Sequence, residues 1–158
     1  MSDASDIEPK VAFLCNIGLT VRFEPIAGAT FLPGLTISRG AIVVDQARLL
    51  YPGDLLHEAG HLALMTPAGR ALAEAPIGDD IGMEIAAIAW SWAALRNLDL
   101  DPAVVFHADG YRGWSPALID NFTAGRYIGV PLLQWLGMTT EKAYPAMTRW
   151  LRPEPRAD

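Results

Sequence analysis

Cysteine, histidine and long apolar runs are all scarce in this chain. Of its 158 residues only Cys15 is a cysteine, so no disulfide can form within the chain. Flanked by Phe13, Leu14 and Ile17, it reads as a small buried hydrophobe. The longest apolar run, residues 85–95, falls well short of the roughly 20 residues that a membrane-spanning helix needs. The first ten residues are acidic and lack the basic-then-apolar order of a secretory leader. Basic runs are missing too. The 12 Lys and Arg are scattered and the formal net charge is −6, which argues against a nucleic-acid partner. Together these absences lead to the expectation of a soluble, cytoplasmic protein with no nucleic-acid or membrane partner.

What is present is the composition of a folded chain: 51% hydrophobic residues and a mean hydropathy of +0.21, with a length that suits one domain. Residues 1–6 and 152–158 read as flexible tails. Apolar spacing predicts a helix over residues 7–17, stopped by Gly18. Alternation at Leu19, Val21 and Phe23 predicts a strand, and residues 35–37 and 41–45 predict two more around a turn at 38–40. Pro52-Gly53-Asp54 then opens a helix to about Met65, with Asp54 as its cap or first-turn acid and Thr66-Pro67 as its end. Residues 68–78 read as a loop. A second helix, apolar on nearly all faces, runs from Asp79-Asp80 to about Asn97 and belongs at the centre of the fold. Residues 101–114 look irregular, and helices are expected over 115–122, 130–136 and 140–151. The predicted class is α+β, a small antiparallel sheet of about three strands beside a mainly helical core.

The chain holds three histidines, and two of them fall in His57-Glu58-Ala59-Gly60-His61. Positions four apart lie about 40° apart around a helix and one turn along it, so both imidazoles project from one face. They can hold one Zn²⁺ at about 2.0–2.1 Å, and Glu58 can take a proton from a water beside the ion without being a ligand. The bland alternative, a surface helix that happens to contain these residues, fits poorly. Leu55, Leu56, Leu62, Ala63 and Leu64 surround the histidines, and buried polar groups without partners are costly. Gly60, unfavourable in a helix by about 1 kcal/mol relative to Ala, implies a close approach to the backbone.

A catalytic zinc site usually has three protein ligands and an open position. Glu84, the one acid within an otherwise apolar helix, is the best third ligand, although a first-turn glutamate also suits the helix dipole. Asp80 and His107 are the alternatives. His107 and Tyr111, in Phe106-His-Ala-Asp-Gly-Tyr-Arg-Gly-Trp114, are candidates to donate a hydrogen bond to an oxyanion; an ordinary aromatic-anchored loop would look the same.

From about residue 7 to residue 95 the order "LTVRFEPIAG", "TISRGAIVVDQARLL", "LLHEAGHLAL", "MEIAAIAWSWAAL" resembles the ImmA/IrrE-type minimal metallopeptidases, gluzincins with a compact core. Such proteins follow H-E-x-x-H with a glutamate on the next helix, commonly in an E-x-x-A-[N/D]-x-F-A pattern, in which Glu84 and Ala87 match and Trp90 stands where an aromatic is expected. The resemblance implies a zincin-like core, with His57, His61 and Glu84 as zinc ligands and Glu58 as general base. The chain departs from the pattern at Ile88, where a polar residue usually orients the first histidine. A backbone carbonyl or another acid (Asp45, Asp54, Asp79 or Asp80) must then take over, or the site is weak. Residues 106–151 have no counterpart in the pattern and are expected to form a substrate wall or a homodimer contact. Five tryptophans, three of them after His107, suit an apolar groove as well as a core.

The expected activity is zinc-dependent hydrolysis of peptide bonds in a peptide or protein substrate. The rivals are a catalytically weak zinc-binding regulatory module and a metal hydrolase of a small amide or ester.

Overall fold

Strand β3 (Ala41–Val44) is apolar and buried at every position, the mark of a strand covered on both sides. It is the middle strand of three. Strand β2 (Leu35–Ser38) runs antiparallel to it and strand β1 (Thr20–Phe23) runs parallel, in the order β1-β3-β2. The sheet is therefore mixed, not antiparallel as the sequence suggested. Arg39 and Gly40 both have positive φ (50° and 74°) and turn β2 tightly into β3. The connection from β1 to β2, by contrast, is too long for a tight hairpin and leaves the middle of the sheet to β3.

The computed structural model describes residues 4–78 and 80–155. Helix α1 (Ala4–Asn16) ends where Gly18 adopts a φ of 107°. It turns Ile7, Phe13 and Leu14 to the core. Cys15, one step further round the helix from Leu14, is exposed and not the buried hydrophobe expected. Helix α2 (Asp54–Ala63) carries the two histidines. It packs on the sheet on one side and on helix α4 (Ile81–Asn97) on the other. Every residue of α4 from Ala86 to Leu95 is buried except for slight exposure, so the central helix that the sequence predicts is present. Asp80 caps it by accepting from the Met83 amide at 2.9 Å. Gly60 of α2 faces Ala87 of α4, where an added Cβ would lie 3.1 Å from the Ala87 carbonyl; this is the close approach that the helical glycine implied.

Two segments depart from expectation. Thr66 accepts from the Gly69 amide and Pro67 takes the first turn, making a short helix α3 (Pro67–Ala71) where a loop was predicted. Residues 140–151 form turns instead of a helix: Pro145 has no amide hydrogen to donate and disfavours helical backbone before it. The segment lies on the core instead, with the Tyr144 hydroxyl donating to the Ala89 carbonyl and the Trp90 indole to the Trp150 carbonyl. Parts of both expected tails are among the described residues. Residues 4–6 are helical, and Arg152 donates from its amide to the Ala63 carbonyl and from its guanidinium to that of Leu64. Arg70 reaches the Leu62 and Met65 carbonyls as well. Two cations thus satisfy the open carbonyls at the end of the histidine helix.

Helix α5 (Ser115–Thr123) and helix α6 (Val130–Trp135) complete an α+β fold around one hydrophobic core, and α6 packs on α4. Among the described residues no helix is long and apolar enough to cross a membrane.

Candidate metal centre

Helices α2 and α4 bring three side chains to one point. The Nε2 atoms of His57 and His61 lie 3.2 Å apart, Glu84 Oε2 is 3.0 Å from His61 Nε2, and Glu84 Oε1 is 3.9 Å from His57 Nε2. Ligands at 2.0–2.1 Å in a tetrahedral arrangement stand about 3.3 Å from one another, so the three donors already sit near the spacing that one ion requires. Among the described residues this is the one group of three such side chains close enough to hold a metal. The donor chemistry fits zinc: two imidazoles and a carboxylate, with room for a further ligand because Glu84 is partly exposed.

The electrostatics follow from crowding in a dry place. Burial, with the neighbouring charge of His61, pushes His57 down to about 4. At His61 burial also opposes the charge, but the hydrogen bond and charge of Glu84 outweigh it and raise the pKa. The same hydrogen bond holds Glu84 below the usual carboxylate range. Glu58, next to His57 and outside the ligand group, is pushed up to about 7 by burial, with Asp54 and Glu84 adding to the effect. A carboxylate tuned toward neutrality beside a ligand cluster is suited to proton transfer.

The position that Ile88 leaves empty is filled from elsewhere. Tyr111 Oη lies 2.8 Å from His57 Nδ1, the ring nitrogen turned away from the ligand group. When Nε2 is the ligand atom, Nδ1 carries the hydrogen and donates it to Tyr111. Ser91 also interacts with the Tyr111 hydroxyl and slightly offsets the effect of its burial. Ser91 in turn donates to the Ala87 carbonyl at 2.8 Å. Burial above all raises the Tyr111 hydroxyl well above its usual pKa, so it stays a neutral phenol. Both Tyr111 and Arg112 hold left-handed backbone (φ 55° and 52°), an uncommon conformation for non-glycine residues that clusters at functional sites. Of the four acids considered for this place, Asp45 accepts from the Ile26 amide, Asp54 pairs with His107 and Asp80 caps α4. Asp79 lies outside the described residues.

Replacing Tyr111 with phenylalanine keeps the ring and removes the acceptor. Zinc affinity, measured by competition with a chelating dye, should fall about 10–100-fold with little change in thermal stability of the metal-free chain. An unchanged affinity would show that the hydroxyl does not orient His57.

His107 is not part of the group His57, His61 and Glu84. Its Nε2 lies 2.7 Å from Asp54 Oδ1, and its ring stacks on Tyr51 with centroids 3.8 Å apart. Tyr51 is tied in turn to Asp109. Asp54 is thus a buried partner of His107, and of its two expected roles it takes that of first-turn acid, since Gly53 holds the cap position of α2. Both candidate oxyanion donors therefore have partners already, Tyr111 on His57 and His107 on Asp54, although His107 Nδ1 is buried with no hydrogen-bond partner among the described residues. Asp80, the other alternative ligand, is exposed and capping.

Two members of this arrangement escape sequence reasoning. Ser91 leaves a faint signal, as the one polar residue in the apolar run 85–95. Tyr51 leaves none, because its stacking on His107 depends on how the loop after α4 returns to α2. Compared with known protein families, with curated proteins and with solved structures, the chain matches none.

Proposed function

We propose that the chain is a zinc-dependent metallopeptidase of gluzincin type, with His57, His61 and Glu84 as the ligands and Glu58 as general base. The observation that carries this reading is the convergence of three potential ligand atoms on adjacent helices beside Glu58, a partly buried carboxylate. When bound, zinc supplies a Lewis acid that polarises a carbonyl and acidifies water. Glu58 accepts the proton of the attacking water as its oxygen adds to the peptide carbonyl carbon. It then delivers that proton to the amide nitrogen as the carbon–nitrogen bond breaks. Tyr111, backed by Ser91, keeps the His57 ring in its ligating orientation and tautomer. The leucines of α2 exclude water from the reverse side of the histidines.

The rival reading, a zinc-binding module without turnover, drew its support from Ile88, and the Tyr111 hydroxyl supplies the partner that Ile88 does not. The test is to incubate the zinc-loaded chain with an unstructured protein and with a panel of small amides and esters, and to follow products by mass spectrometry. New peptide termini that vanish when zinc is chelated are expected. Hydrolysis confined to the small amides or esters would shift the reading to a small-substrate hydrolase. No hydrolysis of either by a chain with zinc bound would leave the binding module.

A further inference from the structure

His61 belongs to two places at once. Its Nε2 faces Glu84 in the ligand group, and its ring also lines a recess of about 250 Å³ together with Leu64, Met65, Ile77, Asp80 and Met83. The end of α2 contributes Leu64 and Met65, the first turn of α4 contributes Met83, and Ile77 comes from the segment between them. The lining is aliphatic and thioether surface apart from His61, Gly78 and Asp80, and Asp80 already accepts from the Met83 amide.

The volume limits what can enter. Sites for whole drug-sized ligands run to about 300–1,000 Å³, whereas an apolar cavity of about 150 Å³ accepts benzene. A recess between these sizes suits one large side chain. Its chemistry limits the choice further. An acidic side chain would lose its hydration among four apolar residues and meet the negative charge of Asp80. A leucine, methionine or phenylalanine side chain would bury apolar area there. The two methionines, flexible and polarisable, can adapt to either a branched or an aromatic occupant.

We infer that this recess is the specificity pocket of the site and takes one large apolar side chain, of leucine, methionine or phenylalanine type, from the substrate residue beside the cleaved bond. The inference rests on the peptidase reading for the word substrate, but the pocket itself can be tested without turnover. Only five methionines occur in the chain, and Met65 and Met83 line the recess while Met138 is buried elsewhere.

The experiment uses methyl-labelled methionine in the zinc-loaded Glu58→Gln chain and short peptides that differ at one position: leucine, phenylalanine, alanine or glutamate. The Met65 and Met83 methyl resonances should move with the leucine and phenylalanine peptides and stay in place with alanine and glutamate, while Met138 stays in place throughout. In the unmodified chain kcat/KM should favour leucine or phenylalanine over alanine by at least about tenfold, the discrimination that a hydrophobic pocket of this kind supplies. Ile77→Trp, which fills the recess, should bring that ratio toward one. Cleavage of all four peptides with no preference and no movement of Met65 or Met83 would overturn the pocket and leave the peptidase reading intact. Selective movement of the two methyls in a chain that cleaves nothing would support the recess as an apolar side-chain site and overturn the peptidase reading instead.

Discussion

Replacing Glu58 with glutamine should lower peptide hydrolysis by about 10²–10⁴-fold, the usual contribution of a positioned acid–base group, while zinc remains bound. Glutamine preserves size and hydrogen bonding but cannot take a proton. Glu58 stands outside the group His57, His61 and Glu84, so its loss leaves the ligands in place. The pH profile gives a second signature. A general base works only when ionised, so activity should fall as pH drops through the Glu58 pKa. Burial puts that pKa at about 7 with only protein charges nearby, and the positive charge of a bound ion moves it lower. The residual activity of the variant should show no such acid limb. A Glu58→Gln chain that hydrolyses peptides at the unmodified rate would remove Glu58 from the chemistry.

Zinc itself should act as a strong stabiliser. A ligand that binds only the folded state, at about a thousandfold above its Kd, adds about 4 kcal/mol, or roughly 8–16 °C in Tm for a chain of this size. Scanning calorimetry with and without a chelator measures it. His57 is pushed down from 6.5 to about 4 in the fold, so the stability linked to its neutral form is complete above 6.5 and is lost as pH falls from there toward 4. Glu58 runs the opposite way. Raised from 4.5 to about 7, its contribution is complete below 4.5 and is lost as pH rises to 7. Zinc must also displace the proton of His61, which Glu84 holds more tightly than usual. The stabilisation by zinc should therefore be largest above neutral pH and disappear in mild acid. No change in Tm with zinc at any pH would contradict a site preformed in the folded chain.

The site was legible where it depends on local geometry and obscure where it depends on long-range return of the chain. His57, Glu58 and His61 can be read because helical spacing alone sets their relation. Glu84 stood out because an acid in so apolar a helix needs a partner, and its carboxylate indeed lies 3.0 Å from His61. Tyr111 drew notice from its aromatic loop, but its partner could not be foreseen. That contact requires two consecutive left-handed residues and the docking of an irregular loop onto α2. Asp54 is legible as an acid of the first turn of α2, but its pairing with His107 is not, since only the fold brings that ring to it. In the sheet, individual strands showed their alternation, while the parallel pairing of β1 with β3 did not. The unbroken apolar run of residues 41–44 was the available clue to a middle strand. The expected helix over 140–151 does not form because Pro145, in its middle, has no amide hydrogen to donate and disfavours helical backbone before it.

The account depends most on three side chains holding one ion. The direct measurement is zinc content by elemental analysis after dialysis, in the unmodified chain and in Glu84→Ala. The expected result is about one zinc per chain, as for a three-ligand site, falling sharply when Glu84 is removed. Zinc retained in full by Glu84→Ala, or none bound by the unmodified chain after zinc is added back, would contradict it.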